Sequence, residues 1–121
     1  MAWFEWSQNN SGGSFINDGK VTHRVWIEAH TLREAEAKAF DLGIYYNGCA
    51  DGRDCSCCGD RWYSPEQYEF PMDYRDYSYP TGYEDLVFNS PEGYAQYLKD
   101  QYGWEEPDSI LYHQNGNITK V

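Results

Sequence analysis

Four cysteines crowd into Gly48-Cys49-Ala50-Asp51-Gly52-Arg53-Asp54-Cys55-Ser56-Cys57-Cys58-Gly59, followed by Asp60-Arg61-Trp62. Cys55 and Cys58 have C-x-x-C spacing, and Gly59 follows them. This is the pattern of a zinc knuckle, where a tight turn aims backbone N–H groups at the sulfurs. A structural zinc takes four ligands, with Cys49 the third candidate and His23, His30 or His113 the fourth. A second C-x-x-C is absent. Two other readings stay open. The cysteines can be packed thiols, since cysteine is among the most buried residue types. They can also be a redox pair, although such pairs usually open a helix. Here Gly59 to Tyr63 reads as a turn entering a strand.

A second stretch, Trp6-Ser7-Gln8-Asn9-Asn10-Ser11-Gly12-Gly13-Ser14-Phe15, sets amides, hydroxyls and bare backbone between aromatic rings. Glycines permit close approach of backbone to a ligand, and successive N–H groups can form an anion-binding nest. No Gly-Lys-Ser/Thr follows, so this is not a nucleotide-phosphate loop of the Walker type. Arg53 and Arg61 flank the cysteine loop and Arg24 lies on the preceding strand, so three of the nine basic residues are expected to converge near one edge. Arg53 has Asp51 and Asp54 as close neighbours. Arg61, beside Trp62, combines a guanidinium with an indole, which suits a phosphate and a base.

These groups need a scaffold. Trp3 to Ser7 reads as a first strand, Phe15-Ile16 as a resumed one, and His23 to Ala29 as a half-buried strand with Val25, Ile27 and Ala29 on one face. Arg24, Trp26 and Glu28 fall on the other face. Thr31 and Glu34 fit a capping box, Leu32, Ala35, Ala39 and Leu42 share a helix face, and Glu34–Lys38 is an i,i+4 pair. Gly43 suits the helix C-terminus. A second helix is expected from Ser90-Pro91 through Tyr94, Tyr97 and Leu98 to Gly103. Asn115-Gly116 between Ile110–His113 and Ile118–Val121 predicts a hairpin, because both turn positions tolerate positive φ. Residues 63–89 show little periodicity and are expected to form long ordered loops. The sum is one α+β domain over residues 1–121. A small, mostly antiparallel sheet would carry two helices on one face and a C-terminal β-hairpin.

Charge narrows the partners. Twenty carboxylates against nine Lys and Arg give a net charge of −11. That disfavours direct nucleic-acid binding and adsorption to an anionic membrane, both of which need clustered cations. No apolar run is long enough for a membrane helix, and Met1 to Trp6 lacks the features of a signal peptide, so a cytoplasmic location is expected. Ten of the twelve tyrosines lie between Tyr63 and Tyr112, as core rings, a binding surface or both.

The segments from Ser7 to Phe15 and from Asp54 to Trp62 resemble those of a family of small accessory proteins of tailed bacteriophages. The strand–helix from His23 to Gly43 and Gly43-Ile44-Tyr45-Tyr46-Asn47-Gly48 fit the same pattern. The resemblance spans about residues 3–63. It implies an infected bacterial cytoplasm and, by association, a role against host defence; it assigns no catalytic residue.

Three functions compete. The first is a binder that sequesters a nucleotide-derived immune signal of the ADP-ribose type without turnover, as a homo-oligomer. Trp6, Tyr45, Tyr46 and Trp62 would stack on a base. Arg24, Arg61 and the Gly12-Gly13 backbone would meet phosphates, and Gln8, Asn9, Asn10 and Ser14 would read ribose hydroxyls. Charges beyond about 8 Å are screened at physiological salt, so local arginines can outweigh a distant acidic face. The second is an acidic protein–protein inhibitor or DNA mimic, since residues 66–108 hold 11 acids and 2 bases. The third is a metal-dependent hydrolase, although no nucleophile elbow, H-E-x-x-H or P-loop is present.

Overall fold

The computed structural model describes residues 1–9, 16–50, 52, 59–76, 84–102 and 107–121. Its centre is a five-stranded sheet of order β3-β1-β2-β6-β7. The strands are β1 (Ala2–Ser7), β2 (Arg24–Ala29), β3 (Glu66–Tyr68), β6 (Ser109–Tyr112) and β7 (Ile118–Lys120). Strand β1 runs antiparallel to β2 and β3, and β7 antiparallel to β6. Strands β2 and β6 are parallel, with Val25 opposite Ile110 and Ile27 opposite Tyr112. A separate hairpin pairs β4 (Met72–Asp76) with β5 (Glu84–Phe88).

Side-chain alternation divides the sheet into two buried faces. Phe4, Trp6, Val25, Ile27, Ile110 and Tyr112 enter one core. Helix α1 (Leu32–Asp41) packs there through Ala35 and Ala39, both 0% exposed, whose small side chains let the helix lie close to the sheet. Trp3, Trp26 and Leu111 enter the other core, covered by Tyr94 of α2 (Pro91–Tyr102) and by Phe88 of β5. Rings dominate this second core: Trp26 meets Tyr94 edge-on at 5.9 Å, and Phe88 lies 5.2 Å from Tyr94.

The α+β class and the C-terminal hairpin agree with the sequence reading. The Thr31 hydroxyl accepts from Glu34 N at 3.2 Å, and the Glu34 carboxylate accepts from His30 N, one residue before the cap. Ser90 caps α2 by accepting from Gly93 N at 3.3 Å. Several expectations change. The helices lie on opposite faces of the sheet, so the face bearing Arg24, Trp26 and Glu28 is covered, and Trp26 is fully buried. Residues 66–88 contain three strands where long loops were expected. Ile16 is outside any strand, and Phe15 lies outside the described residues. Leu32 is exposed. The Glu34–Lys38 pair does not form; the Lys38 ammonium lies over the Tyr112 ring, 5.1 Å from its centre.

Candidate functional site

The two polar stretches meet along a seam. Beyond β1 the chain continues through Gln8, which bridges Trp62 in antiparallel fashion. Tyr63 N donates to Ser7 O at 3.0 Å and Asn9 N to Arg61 O at 2.6 Å. Asn9 Nδ2 donates to Asp60 O. Gly59, at φ +88°, enables this approach, because a Cβ there would sit 3.2 Å from Asn9 Nδ2.

Gln8 is fully committed to holding the seam. Its Nε2 donates to Ile16 O and Thr22 O, both at 2.8 Å, while Oε1 accepts from Ile16 N and from Arg61 Nη1. An amide offers two donors and two lone pairs, so none remains for a ligand. Gln8 instead ties the seam to the backbone of Ile16 and Thr22.

A cavity of about 250 Å³ opens beside the seam, lined by Tyr46, Asn47, Asp60, Trp62 and Ser64. Each wall has a local origin. Trp6 is fully buried and donates its indole N–H to the Tyr46 hydroxyl at 3.2 Å. Phe40, half exposed on α1, meets Tyr46 edge-on at 5.5 Å. Burial pushes the Tyr46 phenol above its ordinary pKa against the opposing bond from Trp6, and Glu36 adds to the rise. Asn47 holds φ +56°, a left-handed position that asparagine tolerates. Asp60 Oδ1 accepts from Cys49 N at 3.0 Å, tying the cavity wall to the turn that carries Cys49. Among the described residues, the Trp62 indole N–H has no hydrogen-bond partner.

Of the residues expected to bind a ligand, Tyr46 and Trp62 line the cavity, Trp6 backs it, and Asn9 and Arg61 lie in the seam. Tyr45 packs against the first core. Asn10, Gly12, Gly13, Ser14, Cys55 and Cys58 lie outside the described residues. Asn47, Asp60 and Ser64 were not foreseen. Nothing near Asn47 in the sequence indicates that it shares a cavity with Trp62.

Arg24 does not join this site. Its Nη1 lies 3.7 Å from Glu5 Oε1 and its Nε 3.9 Å from Asp108 Oδ2. His23 Nδ1 also approaches Asp108, at 3.8 Å. Glu5 sits on the face opposite its neighbour Trp6. Burial pushes the Glu5 carboxyl up to about 7; Arg24 opposes the rise, and Glu66 and Asp108 add to it. Among the described residues, both Asp108 carboxylate oxygens and Glu5 Oε2 lack a hydrogen bond. A carboxyl titrating near neutrality is chemically capable of acid–base work. With Glu5 side-chain exposure at 7% and Asp108 at 0%, however, this cluster is part of the core.

Among the described residues, no group of three or more His, Cys, Asp or Glu is placed to hold a metal ion. No helix there is long and apolar enough to cross a membrane. No curated protein and no solved structure matches the chain. A family model does match it, over residues 1–121, and the chain belongs to that family, described as "Domain of unknown function (DUF7296)".

Proposed function

We propose that this domain is a binding module that captures a nucleotide-derived ligand of the ADP-ribose type at the seam and holds it without turnover. In the phage setting that the sequence resemblance implies, such capture would remove a host immune signal. The observation that carries the reading is the cavity itself. An indole and a phenol form its walls, and Asn47, Asp60 and Ser64 supply hydrogen-bonding groups. Ligand cavities run from about 300 to 1,000 Å³, so this one suits a single nucleoside rather than a whole dinucleotide. Asp60 disfavours a phosphate inside it. The phosphates would instead reach Arg61, whose guanidinium lies in the same seam, 3.3 Å from Gln8.

Calorimetric titration of the full chain with ADP-ribose and with adenosine tests this. Both should bind, ADP-ribose more tightly, and mass spectrometry after heat release should return the ligand unaltered. Ser64→Ala, at an exposed position, should weaken binding about fivefold through one lost hydrogen bond. An altered released ligand would make the protein an enzyme. Failure of both probes to bind, with a basic host protein co-purifying, would favour the acidic inhibitor. Native mass spectrometry of the same sample counts subunits and any zinc on Cys49, Cys55 and Cys58, the homo-oligomer and metal expectations that accompany the reading.

A further inference from the structure

Asp60 stands at the cavity wall with acceptor capacity to spare. Its backbone oxygen accepts from Asn9 Nδ2 at 3.2 Å, and its side-chain Oδ1 accepts from Cys49 N at 3.0 Å. An ionised carboxylate has about four lone-pair positions, and Cys49 uses one. Arg61 follows Asp60 in the chain, yet its Nη1 donates to Gln8 Oε1 at 3.3 Å. Among the described residues, Asp60 Oδ2 has neither a hydrogen bond nor an ion pair. The side chain is half-buried, but Oδ2 is not sealed away as the Asp108 oxygens are.

The aromatic walls leave the polar reading of a ligand to their neighbours. The Tyr46 hydroxyl accepts from Trp6 Nε1, and the Trp62 indole nitrogen is buried. Asn47, Asp60 and Ser64 are the polar lining residues that remain. An amide and a hydroxyl can each donate or accept, whereas a carboxylate only accepts. Asp60 therefore repels a phosphate or a bare ring nitrogen and favours neighbouring donors. In a ligand of the ADP-ribose type, the groups that present two neighbouring donors are the ribose cis-diols. The adenine amine does not serve as well, because it is flanked by the N7 acceptor. Carboxylates read ribose hydroxyls in other nucleotide sites.

We propose that Asp60 is the specificity-determining residue of the seam, its carboxylate accepting from the 2′- and 3′-hydroxyls of a ribose, so that the cavity takes ribonucleosides and rejects their deoxy counterparts. This inference rests on the capture of an ADP-ribose-type ligand and narrows it. The ribose in the cavity must keep both hydroxyls free, so a ligand whose phosphate or ring closure uses either oxygen is excluded there.

Calorimetric titration of the full chain with adenosine, 2′-deoxyadenosine and 3′-deoxyadenosine tests the assignment. Each deoxy compound should bind about tenfold more weakly than adenosine, through one lost hydrogen bond to a charged group. Asp60→Asn, whose Oδ1 can still accept from Cys49 N, should weaken adenosine about tenfold and bring the three affinities within about twofold of one another. If that variant fails to fold, NMR of the isotope-labelled parent decides: the Asp60 Cγ signal should shift with adenosine and stay in place with 2′,3′-dideoxyadenosine. Equal affinity of the three probes for the parent would overturn the proposal and leave nucleoside capture standing. An undiminished gap in Asp60→Asn would assign the diol to another residue and overturn it as well. Failure of adenosine and ADP-ribose alike to bind the parent would remove the underlying reading and the proposal with it.

Discussion

At the Ser7–Arg24 end of the sheet, two faces of the same strands carry opposite chemistries. On one face Trp6, Tyr46 and Trp62 adjoin an open cavity with one carboxylate, Asp60, among its described lining residues. On the other, Glu5, Arg24, His23 and Asp108 form a closed ionic cluster. Glu5 and Trp6 are adjacent in sequence, as are Arg24 and Val25, yet each pair is split between the faces. The pleat separates them. A cation close in sequence to an aromatic residue is therefore no guide to a shared site in a sheet covered on both sides. Arg24 partners buried acids, whereas Arg61, next to the isolated Gln8–Trp62 bridge beyond the strands, reaches the seam.

The largest expected effect tests whether the ringed face is core as well as wall. Trp62 is 4% exposed and belongs to the first core. Trp62→Ala should destabilise the fold by about 3–5 kcal/mol, read from urea unfolding. A loss below about 1 kcal/mol would instead make the indole a pure ligand surface.

The charged face makes the next prediction. The Glu5 carboxyl keeps its proton in the folded chain up to about pH 7, against the ordinary 4.5 of a glutamate. Between those values the folded state binds more protons than the unfolded one, so stability falls as pH rises. At 1.36 kcal/mol per pKa unit, the Glu5 contribution to that fall is about 3 kcal/mol. Glu5→Gln removes this titration. Stability of the variant relative to the parent should rise by that amount from pH 4.5 to pH 8, measured by denaturant titration across the range. Parallel curves for the two proteins would mean that Arg24 compensates the ionised carboxylate fully, and the two faces would then differ in geometry but not in electrostatic cost.

The two faces also differ in how much of them could be read from sequence. Helix α1, its Thr31 cap and the Asn115-Gly116 turn were legible because their determinants lie within a few residues of one another. The alternation that puts Arg24 with Trp26 was legible too, but not the cover supplied by Tyr94 and Phe88 from more than sixty residues away. Strand β3 escaped notice because its partner β1 lies more than sixty residues away, and β4 and β5 because charged residues interrupt their apolar alternation. Gln8 illustrates the same limit within the site. An amide in a polar loop has the chemistry of a ligand group, and only the fold reveals that Ile16, Thr22 and Arg61 already use all of it.

The smallest expected effect sharpens what makes the seam distinct from an ordinary turn. Gly43 and Gly59 both have positive φ, +97° and +88°. A Cβ at Gly43 meets nothing within 4 Å, whereas one at Gly59 meets Asn9 Nδ2 at 3.2 Å. Each Gly→Ala change should cost about 1–2 kcal/mol for the left-handed backbone. Only at Gly59 must a neighbour also yield, and it is the amide that donates to Asp60 O. The excess cost of Gly59→Ala over Gly43→Ala, compared by thermal unfolding, should be positive but below about 1 kcal/mol, because a side-chain amide can shift a few tenths of an ångström. That excess should vanish in an Asn9→Ala background. If it persists there, backbone strain alone sets the requirement for glycine, and the close approach of the two stretches follows from their backbone bonds rather than from Asn9.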